Sequence, residues 1–261
     1  MTTSNPYAAP KAAVADETVV LDTDFVPGGQ SRPIGNGWQW ITEAWGLFKR
    51  QPGVWIGTVL LLILIMMGSA LVPFIGGLFM TLFGPVFAAG IVIGCRALER
   101  GEELEIGHLF AGFRERTGTL IAVGGIYLAA SLVIMLVVGL SMGVGMSAMM
   151  GQAAPEDVAT MGLTMVLAML VVFALLLPMI MAIWFAAPLV VFHEHGAWDA
   201  MKGSFAGCLK NVLPFLWYSV VFTLLAVVAS LPLMLGWLAL GPVLAASLYT
   251  AYRDIYLKPK G

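Results

Sequence analysis

Charge is scarce in this sequence. Asp, Glu, Lys and Arg make up 11% of its 261 residues, against about 25% in a soluble domain. That leaves too little polar surface to cover a water-facing globule. Cysteine is scarcer still. Cys95 and Cys208 are the only two, and both fall near what the charge pattern makes a cytoplasmic face, so a structural disulfide is not expected. The net charge of −2 comes with no clustered basic face. That excludes a nucleic-acid partner, which needs such a face to displace counterions. Residues 1–37 hold no apolar h-region, so no cleaved signal peptide is expected, and the first span acts as the insertion signal. No catalytic motif stands out and no cofactor is implied. The chain is expected not to be an enzyme.

What is abundant is apolar sequence. The chain is 60% hydrophobic, with a mean hydropathy of +0.93. Uncharged apolar runs of roughly 18 residues or more suit a bilayer core about 30 Å thick. Six are read, at 54–71, 74–95, 119–140, 161–192, 212–230 and 233–252. The fourth is over-long and must tilt, kink or protrude, with Pro178 and Pro188 as bend points. Residues 141–160 read as an exit loop. None of the six contains Asp, Glu, Lys, Arg or His. Ionisable groups at membrane depth mark ion paths and proton relays, so their absence weighs against a proton-coupled transporter or an intramembrane protease. A passive pore or a carrier of apolar substrates stays open.

Three short amphipathic stretches accompany the spans. Trp38, Ile41, Trp45 and Phe48 recur at helical spacing, as do Ile106, Leu109, Phe110 and Phe113. Trp198, Met201, Phe205 and Leu209 form the third stripe, with Lys202 and Lys210 off it. Tryptophan favours the headgroup level, so 38–50, 106–116 and 198–211 are expected as interfacial helices anchored by Trp38, Trp45 and Trp198. The expected fold is therefore all-α and polytopic: six transmembrane helices as three helical hairpins, with amphipathic interfacial helices. Residues 1–37 read as a disordered cytoplasmic tail that buries too little to offset its ordering entropy. Residues 38–257 form the transmembrane domain and 258–261 a cytoplasmic end.

The basic residues sort to one side. They are Lys11, Arg32, Lys49 and Arg50 before the first span, Arg96, Arg100, Arg114 and Arg116 after the second, Lys202 and Lys210 after the fourth, and Arg253, Lys258 and Lys260 at the end. With six spans all of these lie on one face, which the positive-inside rule makes cytoplasmic. The chain is expected in the bacterial inner membrane, with both termini cytoplasmic and the lipid bilayer as its partner.

Internal similarity suggests three parallel units, at about 38–105, 106–197 and 198–257. Arg50-Gln51 matches Lys210-Asn211, Pro73 matches Pro232, and Phe110-Ala111-Gly112 matches Phe205-Ala206-Gly207. Gly84-Pro85-Val86-Phe87-Ala88-Ala89 returns as Gly241-Pro242-Val243-Leu244-Ala245-Ala246. Parallel repeats suit transporters and equally follow from simple duplication. The Trp198-Asp199-Ala200-Met201 stretch, the Ser204-Phe205 pair and Lys210-Asn211 before a span resemble the uncharacterised bacterial inner-membrane proteins grouped with YciC. A fainter likeness runs to the membrane-anchor domain attached to some glycerophosphodiester phosphodiesterases. The resemblance implies a multi-pass inner-membrane location. It supplies no activity and no catalytic residue.

Candidate sites are few. Pro85 and Pro242 each stand eleven residues before an arginine, ~16 Å along a helix and so near the bilayer midplane. Proline removes a backbone donor and frees a carbonyl, so Gly84, Pro85, Gly241 and Pro242 are candidate midplane helix breaks. The two glycines are expected to let a neighbouring helix approach. The bland use is a packing kink; the sharper one is a site lined by freed carbonyls. Gly90 and Gly94 form a GxxxG pair, as do Gly139 and Gly143. Such pairs serve close packing within the chain or, through Gly90 and Gly94, a homo-oligomer. His193-Glu194-His195 invites a metal reading but lacks ligands; its plainer use is a polar helix end. Met142, Met146, Met149 and Met150 suit Cu(I) chemically, but no histidine or cysteine supports them on that side. Two roles compete: a non-enzymatic scaffold or envelope-maintenance protein, and a transporter or channel for a small or apolar substrate with its site at the repeat interface. A third, an enzyme acting on lipid, rests on the anchor-domain likeness alone.

Overall fold

The computed structural model describes residues 25–150 and 155–258, with backbone alone at 137 and across 140–150 and 155–165. Among the described residues the architecture is all-helical. The elements are α1 (Asn36–Arg50), α2 (Pro52–Ala70), α3 (Ile75–Glu99), a 3-10 helix (Ile106–Phe113), α4 (Thr117–Met150), α5 (Pro155–Trp184), α6 (Ala186–His193), α7 (Ala197–Lys210), α8 (Val212–Ser230) and α9 (Trp237–Tyr256). A single antiparallel bridge pairs Phe25 with Leu257.

Local chemistry sets several boundaries. Pro52 and Pro155 open α2 and α5, where a missing N–H costs nothing and the fixed φ suits a helix. Turns containing Pro73 and Pro232 follow α2 and α8. In each, the residue after proline takes a left-handed φ, +64° at Phe74 and +49° at Leu233. Glycine then allows the next helix to return closely. A Cβ at Gly76 would lie 1.8 Å from the Ser69 carbonyl oxygen, and one at Gly236 would lie 2.5 Å from the Ala229 Cα. The two turns share one construction, as the paired prolines suggest.

Among the described residues, five helical stretches are long and apolar enough to cross a membrane: Pro52–Ala70, Ile75–Glu99, Thr117–Leu136, Val166–His193 and Val212–Ser230. Their outward surfaces are apolar, with Leu64, Met67, Leu170, Phe173, Leu213 and Val227 all exposed. An exposed apolar belt of this extent calls for lipid rather than water. The expected sixth span corresponds to α9, which is not among the five. Ser247, Tyr249, Thr250, Tyr252, Arg253 and Asp254 make it too polar. It is instead wrapped by protein, with Val243, Ala246, Tyr252, Ile255 and Tyr256 all buried.

Four expectations change against the structure. Residues 141–160, read as a loop, are helical up to Met150 and again from Pro155. Ala, Met and Ser tolerate helix well, and proline is absent until it can serve as a first helical residue. At 34 residues α4 is ~50 Å long, so it outruns a bilayer core. The fourth span breaks at Phe185, three residues before Pro188, while α5 runs uninterrupted through Pro178. The helices also run uninterrupted through Pro85 and Pro242, both buried, so these prolines are not breaks. Lastly, residues 25–35, which their composition marks as tail, pack against α9. Val26 N donates to Tyr256 O at 2.8 Å and Gln30 N to Ile255 O at 2.9 Å. Residues 1–24 of that expected tail lie outside the described residues.

Candidate functional site at the end of the last helix

Polar side chains gather where α9 ends, and each element reaching that end contributes. Thr250 Oγ1 donates to the Trp40 carbonyl at 2.8 Å, and the Tyr218 and Ser247 hydroxyls lie 2.7 Å apart. Both bonds tie α9 to its neighbours below the charged level. Arg253 then forks between two helices. Its Nη2 donates to Glu43 Oε2 of α1 at 2.6 Å, and its Nη1 donates to Glu99 Oε1 of α3. The other oxygen of Glu99 accepts the Tyr249 hydroxyl at 2.5 Å. Burial alone would lower the Arg253 pKa, but Glu99 and Glu43 more than offset it and raise it. The guanidinium is held in its charged form.

Asp254, the next residue, faces the other way and holds the N-terminal segment. Its carboxylate accepts from Trp40 Nε1 and Asn36 Nδ2 at 2.8 Å each, and pairs with Arg32 Nε at 3.0 Å. Asn211 completes the seam: its Oδ1 accepts from Arg32 N at 2.8 Å and its Nδ2 donates to Gln30 O at 2.9 Å. Gly29, at φ +69°, passes close to Ile255 and Gly207, where a Cβ would sit 2.7 Å from the Ile255 side chain. Asn211 and Gln51 stand at matching places before α8 and α2. Gln51 Oε1 likewise accepts a backbone donor, Leu104 N, at 2.7 Å. Both side chains thus accept a backbone N–H from a segment distant in sequence.

An aromatic layer adjoins the charged one. Phe25 stacks on His193 with centroids 3.8 Å apart and meets His195 edge-on at 5.5 Å. His193 Nε2 lies 2.5 Å from the Tyr252 hydroxyl, and Tyr256 donates to Gly203 O at 2.9 Å. Burial pushes the Tyr256 phenol above its ordinary range. Glu194 caps α6 in the left-handed conformation and pairs with Arg116 at 3.4 Å. His193-Glu194-His195 is thus a helix terminus with the Phe25 ring against both imidazoles. Among the described residues no three His, Cys, Asp or Glu side chains converge as metal ligands.

The sequence-predicted residues do not meet at this site. Trp38, Trp45 and Trp198 are exposed, on α1 and α7. The face that α1 turns to the protein is Gly37, Trp40, Ile41, Ala44, Leu47 and Phe48, so of the expected stripe Ile41 and Phe48 turn inward and Trp38 and Trp45 do not. On α7 the buried face is Ala200, Met201, Ser204, Gly207 and Cys208. Trp40 and Phe48 are the aromatics that α1 turns inward, whereas α7 buries only small residues and Met201. Gly84 has nothing within 4 Å of a would-be Cβ, so no helix approaches there; Gly241 meets only Val59, at 3.4 Å. The close approach falls instead on Gly124 of α4, whose Cβ would lie 2.7 Å from Thr81 O and 2.6 Å from Leu82 O. Thr81 is the residue whose carbonyl Pro85 deprives of its helical donor. Gly90 and Gly94 face the chain's own 3-10 helix; a Cβ at Gly90 would lie 2.4 Å from Leu109 O. Gly143 and the four methionines Met142, Met146, Met149 and Met150 lie outside the residues whose side chains are described.

The residues that sequence reasoning missed are Trp40, Glu43, Glu99, Tyr249, Arg253 and Asp254. Of these only Arg253 enters the sequence reading, as part of the basic C-terminal end. Their signal was a polar, tyrosine-rich face on an otherwise apolar helix.

The chain is 29% identical over 222 residues to a protein of Burkholderia thailandensis named a probable inner membrane protein, covering 82% of this chain and 80% of that one. No family model and no solved structure matches it. Five apolar helices and this likeness agree on the class. The chain is a multi-pass membrane protein.

Proposed function

We propose that this is a non-enzymatic protein of the bacterial inner membrane with a scaffold or envelope-maintenance role. The observation that carries the reading is the junction at the end of α9. Arg253 is engaged by Glu43 and Glu99, and Asp254 by Arg32, Asn36 and Trp40. These charges are engaged in joining the N-terminal segment, α1, α3 and α9, which is the work of a clamp. The named relative and the likeness to YciC-like proteins and to phosphodiesterase anchor domains fit the same class.

The proposed topology has six crossings as three hairpins, with α9 the sixth and both termini cytoplasmic. Two observations support it. The turn after α8 is built like the turn after α2, and α9 is enclosed by other helices. A helix too polar for lipid can cross a bilayer when its polar side chains face protein and find partners there. The single-sided distribution of Lys and Arg sets the orientation. A transporter of a polar substrate would favour a polar cavity between units; the groove between α4, α5 and α7 is walled almost entirely by apolar side chains, which disfavours a polar substrate and leaves an apolar one as the second reading.

Deletion and overproduction strains test the role. The scaffold reading expects deletion to sensitise cells to detergent and overproduction to leave the phospholipid headgroup profile unchanged. A headgroup profile that shifts with protein level would contradict it and favour an enzyme acting on lipid.

A further inference from the structure

Outside the junction, a groove of about 530 Å³ opens between α4, α5 and α7, within the ~300–1,000 Å³ of ordinary small-molecule sites. Ala130 and Val133 of α4, Leu175 and Pro178 of α5, and Met201 and Phe205 of α7 form its walls. Among the described residues Lys202 is the one charged lining residue, beside Trp198. The Lys202 ammonium lies 2.8 Å from Asp199, and both side chains are largely exposed, at 59% and 67%. One wall of the groove is thus an amphipathic helix that sets Lys202 and Trp198 at its lining, with Asp199 beside Lys202 just outside it, and the rest is apolar.

We propose that this groove binds one molecule of phosphatidylethanolamine, an acyl chain along α4 and α5 and the headgroup on the Lys202–Asp199 pair. The argument is charge complementarity. A zwitterionic headgroup offers a phosphate to Lys202 and an ammonium to Asp199, so both protein charges exchange one partner for another of the same sign. An anionic headgroup satisfies Lys202 but meets Asp199 as a like charge. That carboxyl is held below its ordinary range by the hydrogen bond from Lys202, so it is ionised at neutral pH. A choline headgroup carries the positive charge but has no N–H to donate to Asp199. Trp198 suits this level, with its ring on the apolar wall and its N–H towards water. The inference does not depend on the scaffold role: lipid binding here is compatible with any of the roles weighed above.

Native mass spectrometry of the full chain in detergent tests it, with phosphatidylethanolamine, phosphatidylcholine and phosphatidylglycerol of matched acyl chains added in equal amount. One phosphatidylethanolamine is expected to stay bound, favoured over phosphatidylglycerol roughly two- to fivefold, the range of an exposed ion pair. Asp199→Ala should erase that preference, and Ala130→Trp, filling the groove, should abolish the retained lipid. Should Ala130→Trp fail to fold, Lys202→Ala, at an exposed position, should still lower phosphatidylethanolamine retention. Equal retention of all three lipids, unmoved by Asp199→Ala or Lys202→Ala, would overturn the proposal. So would a lipid-free dimer that Ala130→Trp prevents, because the groove would then be an interface between copies.

Discussion

Arg253 carries the ion pairs that hold three helices together. It joins α9 to α1 and α3, and its side chain is 32% exposed, between the regimes of surface and buried pairs. Arg253→Ala leaves Glu43 and Glu99 facing each other without their cation. The expected loss is about 1–3 kcal/mol, above that of an exposed pair and below that of a fully buried one. Glu99→Gln keeps an acceptor for Tyr249 and should cost less. Thermal unfolding of the purified variants checks the order; equal unfolding temperatures would contradict the clamp. Cys208 gives a second test at this scale. Burial pushes its thiol up to about 12, so it stays protonated at pH 8, whereas an ordinary thiol is partly ionised there and reactive. A small maleimide should label it roughly tenfold more slowly in native membranes than after denaturation. Rapid native labelling would contradict the packing of α7 against α5.

At the scale of the element, the glycines separate turn construction from spare space. Gly76→Ala puts a Cβ 1.8 Å from the Ser69 carbonyl oxygen, whereas Gly84→Ala meets nothing within 4 Å. The first should reduce the amount of folded protein in the membrane. The second should be neutral or stabilising by about 0.5–1 kcal/mol, the helix preference for alanine. A fluorescent fusion followed by size-exclusion chromatography reads both, and the reverse order would contradict the α2–α3 turn. Helix positions were legible because hydropathy and proline placement act locally: Pro52, Pro73 and Pro232 each sit at the boundary their chemistry implies. Which face of α1 turns inward was not. The expected stripe of Trp38, Ile41, Trp45 and Phe48 mixes residues of both faces, and the choice was made by α8 and α9. Pro214 O and Tyr218 N leave room only for Gly37, which brings Trp40 inward rather than Trp38. Gly84-Pro85 misled for a similar reason. A proline-freed carbonyl can be covered from a distant helix, here by Gly124, with no break in its own.

The whole molecule inverts the pattern of a soluble protein. Large apolar side chains lie outside on α2, α5 and α8, and its most polar long helix, α9, lies within. Hydrogen bonds between membrane helices contribute only about 0.6 kcal/mol each on average, so the bonds that hold α9 act collectively. The membrane class was legible from composition, because 11% charge cannot cover a globule. The role of α9 was not, because partners such as Glu43, Glu99 and Arg32 lie far from it in sequence. The span count is where these two readings meet. Five helices qualify by apolarity, and the sixth crossing depends on α9 being sheltered by the other helices. Reporter fusions after Gly151 and after Gly261 test that directly. Six crossings require an odd number before Gly151 and an even number before Gly261, so the two reporters should lie on opposite sides, with the C-terminal one cytoplasmic. Both reporters on the same side would mean that α9 does not cross, and the account of a sheltered sixth helix would fail.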